Sequence, residues 1–84
     1  VDGWNVTKNK SEIYFLEKKF EFKNFLESQK FTNEVGKVSE LEGHHPDISF
    51  GWGYAKVAIT THAIKGLSEN DFILAAKIDK ISSV

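Results

Sequence analysis

The chain has 84 residues with 11 Lys and Arg against 12 Asp and Glu, a formal net charge of −1. Both signs are interspersed, so the basic footprint of a nucleic-acid binder is missing, and no apolar run approaches the ~20 residues a membrane helix needs. There is no Cys, which closes the disulfide route to a stable small domain.

The composition is even throughout, without repeats, low-complexity tracts or linkers, and reads as a single domain over residues 1–84. A domain of this size buries only about 60–65% of the surface its unfolded chain exposes. Self-association is the expected supplement. Val1-Asp2-Gly3-Trp4 lacks the charged and apolar regions of a signal peptide and has no initiator Met, which fits a processed or trimmed form. The cytosol is the default compartment.

In chain order, Trp4 to Thr7 favours a short strand, bounded by Asp2-Gly3 and by the polar turn Lys8-Asn9-Lys10. Ile13 to Phe22 mostly alternates, with Leu16, Phe20 and Phe22 on the even side, and predicts a half-buried strand paired with the first. From Lys23 the period lengthens. Phe25, Phe31, Val35, Val38 and Leu41 mark a broad helical face that Leu26 widens. Gly36 costs about 1 kcal/mol against Ala inside a helix and suits a close approach of two backbones. Gly43 is placed as a left-handed C-cap residue with Pro46 soon after, so His44 and His45 fall at the helix exit.

Asp47 to Ala63 predicts two strands, with Gly51 and Gly53 marking a bulge or turn between them and His62 closing the second. Ser68 reads as the N-cap of a last helix with Asp71 at N3, an acidic variant of the capping box, and Leu67 and Phe72 are spaced for a hydrophobic staple. Leu74, Ala75, Ile78 and Ile81 continue its apolar stripe. The order β-β-α-β-β-α implies an α+β fold, a four-stranded antiparallel sheet with helices on one face.

All three His lie at element ends. Imidazole gives and takes protons near neutral pH, so three around one pocket form an acid–base site; each is equally an ordinary capping or surface residue, and the residues alone leave both open. Metal binding is disfavoured: adjacent His residues diverge, and neither HExxH nor Cys is present. Glu40 precedes His44 by four residues, about 6 Å along a continuing helix, where it would orient His44 or remain a solvated carboxylate. Asp71 serves as a cap, and capping is compatible with holding a neighbouring His. Trp52 between two glycines is either core or the wall of a flat heterocycle's site.

Glu40, then His44-His45-Pro46 four residues on, Trp52, His62 ten residues later, and Asp71 together resemble the pterin-4a-carbinolamine dehydratase family. The surroundings match as well: Phe20-Glu21-Phe22-Lys23-Asn24-Phe25, Thr60-Thr61-His62 and Gly66-Leu67-Ser68, so the similarity runs from Trp4 to about Asp79. Two departures stand out. The helix that relatives place before the first Trp-containing strand has no counterpart in these residues, and Asn70 stands where many relatives carry Arg.

The resemblance implies a lyase that removes water from 4a-hydroxytetrahydropterin to give quinonoid dihydropterin, supporting tetrahydrobiopterin recycling without metal or cofactor. By carry-over, His44 and His62 are the acid–base pair and His45 binds the ring. Glu40 and Asp71 support, with Pro46 and Trp52 in the same constellation, and Thr61, Ala63 and Ile64 offer backbone contacts. A homodimer or homotetramer is implied. The alternative is a non-catalytic interaction module, a dimerisation cofactor of a transcription factor or an assembly factor, and a coactivator role would add the nucleus to the cytoplasm.

Overall fold

In a computed structural model, residues 3–82 are described; Val1 and Asp2 at the start, with the Asp2 half of the first strand's expected boundary, and Ser83 and Val84 lie outside. The elements are β1 (Asn5–Lys8), β2 (Tyr14–Glu21), α1 (Phe25–Glu42), β3 (Asp47–Gly51), β4 (Tyr54–Ile59), a 3₁₀ turn (His62–Ile64) and α2 (Glu69–Ser82). The sheet is antiparallel throughout in the order β1-β2-β4-β3.

Alternation assigns the two faces of the sheet. Leu16 and Phe20 of β2 and Ala55, Val57 and Ile59 of β4 turn inward and are buried with Trp4, Phe31, Val35, Leu74, Ala75 and Ile78. Burying each larger aliphatic side chain contributes roughly 1.5–3 kcal/mol. Both helices cover this inner face. Its aromatic centre is Phe20, edge-on to Trp4 and 4.6 Å from Phe31 between ring centroids. The outer face carries Phe15, Glu17, Lys56, Ala58, Asp47 and Ser49 by register.

Lys18 breaks the inner pattern because it has an acid to meet. Its Nζ lies 2.9 Å from Asp79 Oδ1, and the same carboxylate accepts the Trp4 indole N–H at 3.1 Å. The residue leading into β1, strand β2 and helix α2 are thereby latched at one point.

The buried face of α1 differs from the expected one. The buried stripe of α1 is Ser28, Phe31, Val35 and Ser39. Leu41 is 85% exposed and Leu26 55%, so neither belongs to the inner face. Ser28 and Ser39 can be buried because each hydroxyl bonds a carbonyl one turn back, at Asn24 and Val35. At the far end, Gly43 has φ 64°, and the Gly43 and His44 amides donate to the Glu40 and Ser39 carbonyls. This paired closure ends the helix and redirects His44. Between β3 and β4 the glycines make a tight turn rather than a bulge: Gly53 has φ 80°, which a Cβ would resist. Leu67 packs against the core while Phe72 stays 40% exposed.

Candidate active site

The start of β3, the end of β4 and the start of α2 meet at one end of the sheet. His44 leaves α1 there, and His62 opens the 3₁₀ turn after β4. The piece that joins them is Asp71, whose residue is fully buried. Its Oδ2 accepts the Ser68 amide at 2.7 Å and the Thr61 hydroxyl at 2.8 Å. Its Oδ1 faces His44 Nε2 at 2.6 Å. The Ser68 hydroxyl completes the group, 2.7 Å from Thr61 Oγ1.

The acid therefore does what an N3 carboxylate should, reaching back to the N-cap amide, and also holds an imidazole. A carboxylate offers only acceptors, so His44 donates its Nε2–H. In the neutral ring this leaves the lone pair on Nδ1. The His44 side chain is 18% exposed, which leaves it reachable from solvent.

Glu40 pairs with His45 Nε2, not with His44. The expected i,i+4 relation fails because the helix closes at Gly43, one residue before it would bring His44 under Glu40. This second pair is open, with side-chain exposures of 63% for His45 and 76% for Glu40, and a polar contact so exposed is worth little to stability.

His62 follows Thr61 of this group and lines a cleft beside it. A cleft of about 220 Å³ is lined by Asn9, Ile13, Phe15, Asp47, Ala58, Thr60 and His62. Phe15 and Ala58 belong to the outer face of the sheet. The β1–β2 loop forms one wall and is stiffened from within, since Asn9 Oδ1 accepts the Ser11 and Ile13 amides at 2.9 and 3.0 Å. Thr60 Oγ1 donates to the Tyr14 carbonyl at 2.7 Å and ties β4 to this wall.

The other expected site residues fall as follows. Pro46 is half-buried between His45 and β3. Thr61 sits between the two His, with its amide and carbonyl bridged to Gly66. The Ile64 amide donates to the Thr61 carbonyl, so the Thr61 amide and carbonyl and the Ile64 amide are engaged within the turn, and these bonds do not involve Ala63. Trp52 lies elsewhere. It occupies the β3–β4 turn, 71% exposed, a strand length of roughly 15 Å from the His end. The cleft also contains residues the sequence reading passed over: Asn9, Ile13, Phe15 and Asp47. Alternation of β2 and β3 could have found the last two as outward neighbours. Among the described residues no group of three or more His, Cys, Asp or Glu is arranged to hold a metal ion.

This geometry has company among known proteins. A family model described as pterin 4 alpha carbinolamine dehydratase matches residues 1–81. Provisionally named pterin-4-alpha-carbinolamine dehydratases of Methylococcus capsulatus and Alkaliphilus metalliredigens are 53% identical over 68 residues and 51% identical over 82. These alignments cover 81% and 98% of this chain but 60% and 70% of the relatives, which are longer. Among solved structures, a transcriptional coactivator/pterin dehydratase from Brucella melitensis has a TM-score of 0.84 at 27% identity, over 98% of this chain and 84% of the other. A pterin dehydratase-like protein identified as a RuBisCO assembly factor in the alpha-carboxysome shares the fold, with a TM-score of 0.79 at 23% identity over 95% and 89% of the two chains. The four-stranded sheet, the two helices and the family match over nearly the whole sequence agree, and the chain belongs to the pterin 4 alpha carbinolamine dehydratase family.

Proposed function

We propose that residues 1–84 form one dehydratase domain that removes water from a 4a-hydroxytetrahydropterin. The observation that carries this reading is the buried Asp71, which fixes His44 and, through Thr61, the turn that bears His62. The chemistry needs two proton transfers. The C4a–O bond breaks as the hydroxyl takes a proton and leaves as water. The N5–H proton departs, and its electron pair forms the C4a–N5 double bond of quinonoid dihydropterin.

His44 presents Nδ1 as the base for N5. His62, in the cleft, is the acid for the hydroxyl. His45 with Glu40 steadies the ring from the open side. Positioned acid–base groups of this kind contribute about 10²–10⁴-fold, which suits a reaction that also proceeds unaided. The proposed role belongs to tetrahydrobiopterin recycling, with the cytoplasm as its compartment. Assembly as a homodimer or homotetramer would cover Leu41, Ile73 and Phe72, which are 85%, 40% and 40% exposed on the helices.

Stopped-flow absorbance on freshly generated 4a-hydroxytetrahydropterin tests the reading. Wild type should accelerate dehydration over buffer, and folded His44→Ala and His62→Ala should each lose about 10²-fold or more. A folded wild type with no acceleration overturns it. The exposed Leu41 and Trp52 would then favour the second reading, a module that binds a protein partner on the same scaffold.

A further inference from the structure

The His62 cleft has two kinds of lining. Phe15, Ile13 and Ala58 are apolar, and Asn9, Thr60, Asp47 and His62 are polar. Its volume of about 220 Å³ lies below the roughly 300–1,000 Å³ of sites for drug-sized ligands and is of the order needed by one flat bicyclic ring. Asp47 is the only carboxylate among the lining residues. β-register holds it in place: Asp47 pairs with Ala58 at the start of β3, so its side chain shares the outer face with Ala58 and Phe15. The pair Glu17–Lys56 lies next along that face, at 3.4 Å, and Asp47 takes no part in it.

The reacting ring has a matching edge. The pyrimidine half of a pterin presents the C2 amino group and N3–H side by side, two donors pointing the same way. A carboxylate can accept both in parallel, the geometry that makes bidentate charge-assisted pairs strong and orienting. C2 stands para to C4a across that ring. An acid that holds the C2–N3 edge therefore directs C4a and N5 to the opposite end. Asp47 and His62 line the same cleft, so a ring held at Asp47 by its C2–N3 edge has its C4a–N5 end free to meet the imidazole.

We propose that Asp47 is the residue that recognises the amino-pyrimidine edge of the substrate and sets which end of the ring meets His62. The role deepens the dehydratase reading and rests on it for the identity of the ring. It also predicts a chemical preference. A 2-oxo ring of the same shape replaces the amino donor with an acceptor, which would face the carboxylate oxygens unfavourably.

Two measurements test this on the full chain. The first is fluorescence titration with 6-methyl-7,8-dihydropterin and with its 2-oxo counterpart, for wild type, Asp47→Asn and Asp47→Ala. The second is dehydration kinetics for the same three proteins. Asp47 is exposed, so the variants should fold, and circular dichroism checks that they do. Wild type should prefer the 2-amino probe. Both variants should bind it about tenfold or more weakly, the loss expected for a charge-assisted hydrogen-bond pair, and Asp47→Asn should lose the preference over the 2-oxo ring. In turnover, KM should rise by a similar factor while kcat changes much less. Equal binding of the two probes by wild type, or unchanged binding in both variants, overturns the assignment, even with dehydration intact. Asp47-dependent probe binding without acceleration upholds the subsite and removes the dehydratase reading. Absence of both binding and acceleration overturns both.

Discussion

At the scale of single residues, Asp71 does the most with the least. It is buried and has partners on both oxygens. Asp71→Ala removes the partner of the Ser68 amide and of His44 Nε2 and should cost about 3 kcal/mol of unfolding free energy by urea titration. Asp71→Asn is the more informative change. Its amide nitrogen can donate where the carboxylate accepted, so His44 Nε2 becomes the acceptor and the proton moves to Nδ1. Nitrogen-15 chemical shifts of the imidazole should report this reversal, and dehydration should fall by about 10²-fold with the fold retained. Unchanged shifts would refute the tautomer assignment. Glu40→Gln makes the contrast: its pair with His45 is exposed, so stability should move by less than about 0.5 kcal/mol.

At the scale of elements, the latch of Trp4, Lys18 and Asp79 couples the sheet to α2. Asp79→Ala removes an acceptor shared by an indole and an ammonium on the inner face and should destabilise by about 2 kcal/mol. The double variant Lys18→Met with Asp79→Leu should recover part of that loss, because an apolar pair avoids burying charge. A double-mutant cycle by chemical denaturation would measure the coupling. The β3–β4 turn is similarly specific. Gly53→Ala places a Cβ at φ 80° and 3.3 Å from the Phe22 carbonyl, and should cost about 1–2 kcal/mol.

The same scale explains what the sequence made legible. Alternation in β2, the Gly43 closure and the Ser68–Asp71 cap are local signals, and local signals survive being read without coordinates. Lys18 on the inner face of β2 is beyond local pattern because its partner lies 61 residues away. Leu41 looked like helix core because α1 is amphipathic by count, yet Ser28 and Ser39, each bonded to the carbonyl one turn back, flank Phe31 and Val35 in the buried stripe instead. The pairing of His44 with Asp71 rather than Glu40 depends on where a helix stops to within one residue, which spacing alone does not resolve. Trp52 joined the constellation by sequence distance, but a hairpin sends it to the far end of the sheet.

At the scale of the whole molecule, the core is small, eleven buried apolar side chains among the described residues, and several apolar side chains remain outside it. Gly36 offers a handle on what covers them. A Cβ there would meet nothing within 4 Å in the single chain, so Gly36→Ala should gain about 1 kcal/mol from helix propensity, or about 4–8 °C in Tm for a domain of this size. That gain should appear in dilute thermal melts. If a second copy packs its helix at this position, sedimentation at high concentration should show the Ala variant dissociating more readily than wild type.

Asp71 has one more consequence, for the timing of order. The carboxylate that winds the first turn of α2 is also the tether of His44, so the position of this imidazole is held only while that helix is wound. Transient opening of the C-terminal segment would release the imidazole at the same moment as the Ser68 and Asp71 amides. Hydrogen exchange at those amides and exchange broadening of the His44 ring should then follow one opening equilibrium, making the last helix and the site a single cooperative unit.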